Sequence, residues 1–275
     1  MIARGGALFL VVTAAAAQPA YEFKTPAFHL SVARDGAAIR IERRGEIVLQ
    51  SADMCFDTGA ATTGRATKLV WEQPDGLSIT FLYDTTYEGA NVMMRLEPAV
   101  DRIRVRAWVL HSGGRLTPLV RYKLAPSGYW YGGGFQGWRA PQTFPLNNAR
   151  ISRKWFLAEG NTQGTPAWYA TNGVALRVRT EHDLRYEIAD GALAFEVPAE
   201  SAVSYDILVA RNIRQAVDAI ASDIGWAKST PPADYFRLPI YTTWVEHKVD
   251  TSQEKVLEFA RNIRTHRLPA GVLEI

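Results

Sequence analysis

The sequence is poor in the residues on which several kinds of functional site depend. Only one of its 275 residues is cysteine, Cys55, so the chain can form neither an internal disulfide nor a cysteine cluster for a metal. The five histidines are scattered, and no two have the i, i+4 spacing of a helical zinc site. We therefore expect no structural metal, and we interpret Cys55 as a small buried apolar side chain.

Signatures of two common enzyme classes are also missing. No Gly-x-Ser-x-Gly elbow occurs, so the sequence gives no support to a serine hydrolase. The glycines at 132, 134 and 137 match a dinucleotide fingerprint, but a helix would have to begin in that loop. Residues 136–141, with Gly137 and Pro141, do not favour a helix, so nucleotide binding is not expected.

The charges show no strong bias of one sign. The chain has 31 Lys and Arg against 28 Asp and Glu, a net charge of +3. Basic and acidic residues alternate, as in the segment 40–46, and this alternation is typical of a solvated sheet face. We therefore expect no nucleic-acid partner.

No segment is apolar over the roughly 20 residues that a membrane-spanning helix needs. The N-terminus has instead Arg4, a short apolar run at 7–12 and small residues before Ala17. This pattern is typical of a secretory signal peptide, so we predict a leader over 1–17 with Gln18 as the first mature residue. The expected location is secreted or the lumen of the secretory pathway, without a membrane span.

Residues 21–211 have the pattern of a mainly β domain. Short runs that alternate apolar and polar residues recur between turn signals, for example at 77–83, 103–109 and 203–209. The runs 28–32 and 38–42 flank Asp35-Gly36 and predict a hairpin. One apolar face for each strand predicts antiparallel sheets packed as a β-sandwich.

The period changes after residue 211. Ile213, Ala216, Val217, Ile220 and Ile224 follow helical spacing, and the flanking residues at 212 and 225 are Asn and Gly, a typical cap and stop. Residues 229–232 then read Ser-Thr-Pro-Pro. We predict a connecting helix and proline-rich linker over 212–237, with the domain boundary at 229–232.

Residues 238–275 predict a strand, a helix and a second strand. The first strand covers 238–244, Thr251 and Glu254 form a capping box, and 271–275 is the second strand. The predicted buried stripe of the helix is Val256, Phe259, Ala260 and Ile263. Such a unit implies parallel strands, and two parallel strands are not a stable sheet alone, so we expect it to begin a larger domain.

Aromatic residues surround the glycines in the segment 129–138. Tyr129, Trp130 and Tyr131 precede them, and Phe135 and Trp138 lie among them. A loop of this composition could reach over a sugar pocket, or it could be a packed corner of the sandwich. Both interpretations stay open, with Phe135 and Trp138 as candidate substrate-binding residues.

Taken in order, several segments resemble glycoside hydrolase family 31. The glycine-rich segment 131–135, the Pro-aromatic segment 166–175 and the stretch from 238 to 275 are similar to that family in sequence and spacing. The resemblance implies a galactose-mutarotase-like antiparallel β-sandwich followed by the truncated start, strand-helix-strand, of a (β/α)8 TIM barrel. It also implies retaining hydrolysis of α-glycosides by two aspartates, a carbohydrate substrate, and no metal or organic cofactor.

The resemblance assigns no catalytic residue to this chain. A retaining glycosidase needs two carboxyl groups about 5–5.5 Å apart, and no pair among the acidic residues from Glu246 to Glu274 has that character in the sequence. Trp244 and Glu246, at the end of the first barrel strand, are candidate pocket-lining residues. We expect the N-terminal part of an α-galactosidase or α-glucosidase, inactive alone; the alternative is a non-catalytic carbohydrate-binding sandwich.

Overall fold

The computed structural model of the chain describes residues 19–58, 63–124, 128–133, 145–148, 150–155, 165–225 and 229–275. The chain divides into two compact units, and the division falls between Asp223 and Ile224. The predicted leader over 1–17 lies outside the described residues.

The first unit is built almost entirely of strands. These are β1 (Tyr21–Lys24), β2 (His29–Val32), β3 (Ile39–Arg43), β4 (Glu46–Ser51), β5 (Cys55–Asp57), β6 (Thr63–Asp75), β7 (Ser78–Thr85), β8 (Ala90–Pro98), β9 (Arg102–His111), β10 (Thr117–Lys123), β11 (Trp130–Gly132), β12 (Ile151–Trp155), β13 (Ala167–Ala170), β14 (Val174–Val178), β15 (Arg185–Ala189), β16 (Ala192–Glu196) and β17 (Ala202–Val209). A 3-10 turn covers Leu146–Asn148, and helix α1 covers Ile213–Ile224.

These strands form two antiparallel sheets. Within the described ranges, one sheet has the order β1-β2-β3-β4-β10-β16-β15-β12. The other has the order β11-β13-β14-β17-β9-β8-β7-β6. β5 pairs with both β6 and β10, and it thereby links the two sheets. The predicted antiparallel sandwich and the predicted hairpin, β2 with β3, are confirmed.

Alternation along the strands decides which face is buried. In β8, Val92, Met94 and Leu96 are buried, while the residues between them are partly exposed. β9 pairs with β8 over nine positions and buries Ile103 and Val105 on the same side. Because successive side chains of a strand point to opposite faces, this pattern places one apolar face of each sheet inside the sandwich.

The centre of the sandwich is a cluster of five buried aromatic side chains drawn from both sheets. Trp168 of β13 stacks on Phe195 of β16, with ring centroids 5.7 Å apart and planes 17° apart. Tyr186 meets the Trp168 ring edge-on, and Tyr205 meets Phe195 in the same way at 5.4 Å. The hydroxyls of Tyr122 and Tyr205 share a hydrogen bond of 3.0 Å. These contacts join the sheets across the core, and we call them the aromatic cluster.

Helix α1 lies on the outer face of the second sheet. The Oδ1 atom of Asn212 accepts a hydrogen bond from the Gln215 backbone N–H at 3.0 Å, as expected of a cap. Buried Ala216 and Ile220 pack against small or aliphatic side chains of β13, β14 and β17. The other apolar positions of the helical pattern are less covered, since Val217 is 40% exposed and Ile224 is 60% exposed.

A fully buried carboxylate lies on the same sheet. Asp206 of β17 is 0% exposed, and its two oxygens contact the Nε atoms of Arg104 at 3.3 Å and Arg179 at 2.6 Å. Asp223, near the end of α1, accepts from Arg102 at 2.7 Å. Because a buried charge is tolerated only when it is paired, these arginines are required for the local structure.

The second unit contains a parallel strand pair. Its elements are α2 (Asp234–Arg237), β18 (Ile240–Thr242), α3 (Trp244–His247), α4 (Gln253–Thr265) and β19 (Val272–Glu274). β18 and β19 are parallel, as predicted, with Thr242 opposite Glu274. That this pair starts a TIM barrel stays a prediction. The predicted strand over 238–244 is too long, because the chain turns into α3 where the His247 N–H bonds to the Thr243 carbonyl.

Helix α4 differs from its prediction in two details. Its cap is Ser252, whose Oγ accepts from the Lys255 N–H, whereas Thr251 donates its hydroxyl to the Lys248 carbonyl. The cap therefore lies one residue after the predicted Thr251, and the residue three positions on is Lys255 instead of the Glu or Gln of a capping box. The four residues of the predicted stripe do share a face, but they are half-buried, since a two-stranded sheet covers little of a helix.

Replacing the stacked tryptophan tests the role of the aromatic cluster. We expect Trp168→Ala to lower the free energy of unfolding by about 3–5 kcal/mol, because it removes a fully buried ring. The matched control is Trp71→Ala on the edge strand β6, where the ring is 43% exposed, and its expected cost is below about 1 kcal/mol. Urea unfolding measures both, and equal losses would contradict the assignment.

The buried tyrosine pair predicts a loss of stability in alkali. Burial raises the pKa of both Tyr122 and Tyr205 above the usual 10.0. Above about pH 10 the unfolded chain releases these protons and the folded chain keeps them, so the free energy of unfolding falls by up to ~1.4 kcal/mol per pH unit for each group. Their stabilisation is therefore complete below pH 10.

Urea unfolding between about pH 9 and pH 11 measures this slope. We expect a shallower slope for Tyr205→Phe than for the parent chain, whatever the variant costs at neutral pH. The same slope in both proteins would show that the hydroxyl of Tyr205 is not the titrating group.

Candidate functional site

The predicted pocket-lining pair lies at the carboxyl end of β18. Thr243 is 2% exposed, and its N–H bonds to the Glu274 carbonyl at 3.1 Å, which holds this end of β18 to β19. Trp244 follows, with its N–H bonded to the Thr242 Oγ1 at 3.2 Å and its side chain 64% exposed. Glu246 is also exposed. Residues i and i+2 of a helical turn do not face each other, so the two side chains are not brought together.

The neighbouring ionisable groups have local partners. The Lys255 Nζ lies 2.5 Å from the Asp250 Oδ2, and this hydrogen bond lowers the pKa of Asp250. The hydroxyl of Ser252 donates to Glu254 at 3.1 Å. These contacts give Asp250 and Glu254 roles in the turn before α4, so neither carboxylate is assigned to catalysis.

The glycine-rich segment is explained by packing in its described part. Gly132 has a φ of +123°, and a Cβ placed there would lie 2.3 Å from the Ala167 carbonyl oxygen. Gly133 has a φ of +84°, and its Cβ would lie 2.9 Å from the Trp168 Nε1. The strand β11 therefore reaches the aromatic cluster only without side chains at these two positions.

The two other candidate substrate-binding residues, Phe135 and Trp138, lie outside the described residues. Of the flanking rings, Trp130 is buried and Tyr129 is 59% exposed. The Trp130 backbone N–H bonds to the Asn147 Oδ1 at 2.8 Å, which fixes the start of β11. Packing thus accounts for Trp130, Gly132 and Gly133, and the sugar contacts expected of Phe135 and Trp138 stay a prediction.

The structure shows no candidate metal centre in the part of the chain that it describes, since no group of three His, Cys, Asp or Glu side chains converges there. Cys55 is only partly buried, not fully buried as its sequence context suggested. Burial raises the pKa of its thiol, which donates to the Asp53 carbonyl at 3.3 Å. Among the described helices, none is long and apolar enough to cross a membrane.

A cavity of about 570 Å³ on the sandwich surface was not predicted from the sequence. Its lining comes from the segments 24–29, 42–45 and 209–211, which include Lys24, Arg43, Arg44 and Arg211. Three separate segments meet there only because β1, β2 and β3 are neighbours and β17 ends beside them. No local motif could have predicted this arrangement.

The fold defines a class: an N-terminal β-sandwich of the kind found in glycoside hydrolase family 31. A sulfoquinovosidase of that family from E. rectale, solved with an aza-sugar inhibitor, has a similar fold with a TM-score of 0.59 at 12% sequence identity. The similarity covers 89% of this chain and 40% of that chain.

The family itself follows from the sequence. The family model of the myogenesis-regulating glycosidase N-terminal domain matches residues 23–225, and the chain belongs to this family. The myogenesis-regulating glycosidase of Mus musculus is 24% identical over 274 residues, an alignment that covers 90% of this chain and 36% of the mouse protein. The chain thus spans about a third of the length of that relative.

Substituting the glycine of β11 tests the packing explanation. We expect Gly132→Ala to destabilise the protein by about 2–4 kcal/mol, because strain at positive φ and a collision with the Ala167 carbonyl add together. Gly114→Ala is a matched control, since Gly114 has a φ of +129° but no atom within 4 Å of its Cβ position.

Gly114→Ala should lower the free energy of unfolding by about 1 kcal/mol, because it adds backbone strain without a collision. Urea unfolding of both variants gives the comparison. Equal destabilisation would mean that the close approach of β11 to β13 is not what requires a glycine.

Proposed function

We propose that this chain supplies the N-terminal sandwich and the first barrel repeat of a retaining α-glycosidase that hydrolyses α-galactosides or α-glucosides. The observation that carries the proposal is the family match over 23–225, followed by the parallel pair β18 and β19 with the crossover helix α4. A parallel pair with one crossover is the repeating element of a (β/α)8 barrel.

The proposal assigns hydrolysis to a protein longer than these 275 residues. The aligned part of the mouse relative is 36% of its length, and a barrel alone takes about 250 residues. Since Asp250 and Glu254 have local partners, the two catalytic carboxylates are proposed to come from the remaining length of such a protein. This chain alone is then inactive.

Trp244 and Glu246 are the proposed substrate contacts of the second unit. Both are exposed at the carboxyl end of β18, the end at which barrel enzymes place their active sites. The exposed indole suits stacking on a sugar ring, and the carboxylate suits accepting hydroxyl hydrogen bonds. Phe135 and Trp138 are proposed to contribute from the loop after β11. The leader over 1–17 is proposed to direct the protein into the secretory pathway.

Two assays test the proposal. The purified 275-residue chain should not hydrolyse p-nitrophenyl α-galactoside or p-nitrophenyl α-glucoside. A product of the same gene that includes the coding sequence beyond the Ile275 codon should hydrolyse at least one of them with retention of configuration.

A mock purification from the same host is the control for contaminating glycosidases. Turnover that co-purifies with the 275-residue chain would contradict the placement of the carboxylates. A stop codon directly after Ile275 would contradict the proposal as a whole.

A further inference from the structure

We propose that the cavity beside β1, β2 and β3 is a binding site for a small anionic ligand that carries a carboxylate, sulfate or phosphate group. The cavity has a volume of about 570 Å³, within the usual range for small-molecule sites. Four cationic side chains line it, and Glu42 is the one acidic residue in the lining. The proposal concerns the first unit alone and does not depend on glycoside hydrolysis.

Arg43 is the fixed part of this site. Its two terminal nitrogens donate to the carbonyl oxygens of Ala210 at 2.7 Å and Asn172 at 2.5 Å. These bonds hold the planar guanidinium in place, but carbonyl oxygens carry no net charge. A guanidinium has five N–H donors and matches the geometry of oxyanions, so a held but unneutralised Arg43 suits an anion.

The nearby carboxylates offset only part of the positive charge of the lining. Glu42 forms an ion pair with Arg40, which does not line the cavity, and lies 3.8 Å from His29. Glu22 lies 3.7 Å from Lys24 and 3.6 Å from His29. The lining therefore has an excess of positive charge, which attracts anions.

Arg44 occupies a position in which arginine is unfavourable. It lies with Gly45 in the turn between β3 and β4, where both residues have positive φ, 53° and 81°. Such turns favour Asn, Asp or Gly at the first position, and a long side chain is strained there. A strained residue of this kind is a candidate for a role other than folding, and we assign Arg44 to the lining of the cavity.

Arg211 supplies the remaining charge from the opposite side. It lies two residues after the end of β17 and two residues before the start of helix α1, so it is near the positive end of the helix dipole. The side chains of Lys24 and Arg44 come from the β1 and β3 ends of the first sheet. An oxyanion held between them and Arg211 would link the first sheet to the segment that follows β17.

Titration of the full chain with four probes tests the proposal. Inorganic sulfate, inorganic phosphate and glucuronate should each bind, and affinity should fall as ionic strength rises. Neutral glucose should show no binding at concentrations up to about 10 mM, a concentration at which even a weak specific site would be occupied. Tighter binding of glucuronate than of sulfate would indicate an anionic saccharide as the ligand, and the reverse would indicate a free inorganic oxyanion.

Substitutions separate binding from folding. The double variant Arg44→Asn and Arg211→Gln should bind the best anion about tenfold or more weakly, since each change removes a charge-assisted contact. Asn suits the turn, so the variant should keep or exceed the parent's midpoint of urea unfolding. Arg121→Gln, which replaces an exposed arginine of β10 outside the lining, is the control for loss of a positive charge elsewhere on the unit and should bind within about twofold of the parent.

Three results would overturn the proposal. One is the absence of binding by every anionic probe to the parent chain. Another is binding of glucose as tight as that of glucuronate, which would assign the cavity to neutral sugars. The third is an equal loss of affinity in Arg121→Gln, which would show general charge attraction instead of a site.

Discussion

The sandwich depends on the contact between Trp168 and Phe195, which belong to different sheets and stack at the centre of the core. Tyr186 and Tyr205 surround that stack from either side, and Tyr205 extends it to Tyr122 through a hydrogen bond between hydroxyls. Because strands far apart in the sequence supply these rings, the cluster forms only when both sheets are assembled. It also explains the glycines of β11, which let that strand lie against β13 beside the Trp168 indole.

The outer face of the second sheet adds a different constraint. Asp206 is fully buried there and is paired with Arg104 and Arg179, while Asp223 ties the end of α1 to Arg102. The helix contributes little apolar burial beyond Ala216 and Ile220, so its position is set by charge as well as by packing. Losing either arginine partner would leave a buried carboxylate poorly compensated, a larger penalty than the loss of a surface ion pair.

Local patterns in the sequence were enough to predict much of this fold. Alternation predicted the strands, Asn212 and Gly225 marked the ends of α1, and the strand-helix-strand pattern predicted the parallel pair β18 and β19. The failures concern features that depend on neighbours. Trp244 was predicted to end the first barrel strand but begins a helical turn, which the bond from the His247 N–H to the Thr243 carbonyl closes.

The cavity beside β1, β2 and β3 could not be predicted either, because it also depends on which strands are neighbours. Its arginines at 43, 44 and 211 are ordinary surface residues in the sequence, and only the pairing of strands and the bond from Arg43 to the Ala210 carbonyl bring them together. The candidate contacts Trp244 and Glu246 stand on a local pattern and a family resemblance. That Trp244 and Glu246 bind a sugar is a proposal, because neither the turn nor its immediate contacts specify a sugar.

Native-state hydrogen exchange tests whether the aromatic cluster holds the two sheets together. We expect the amides of β10, β13, β15, β16 and β17 to exchange most slowly, and only through global unfolding, since opening any of these strands breaks the cluster. Edge strands such as β1 and β6 should exchange faster by local opening. If the amides of β13 and β16 exchanged as fast as those of β1 and β6, the aromatic cluster would not be what holds the two sheets together.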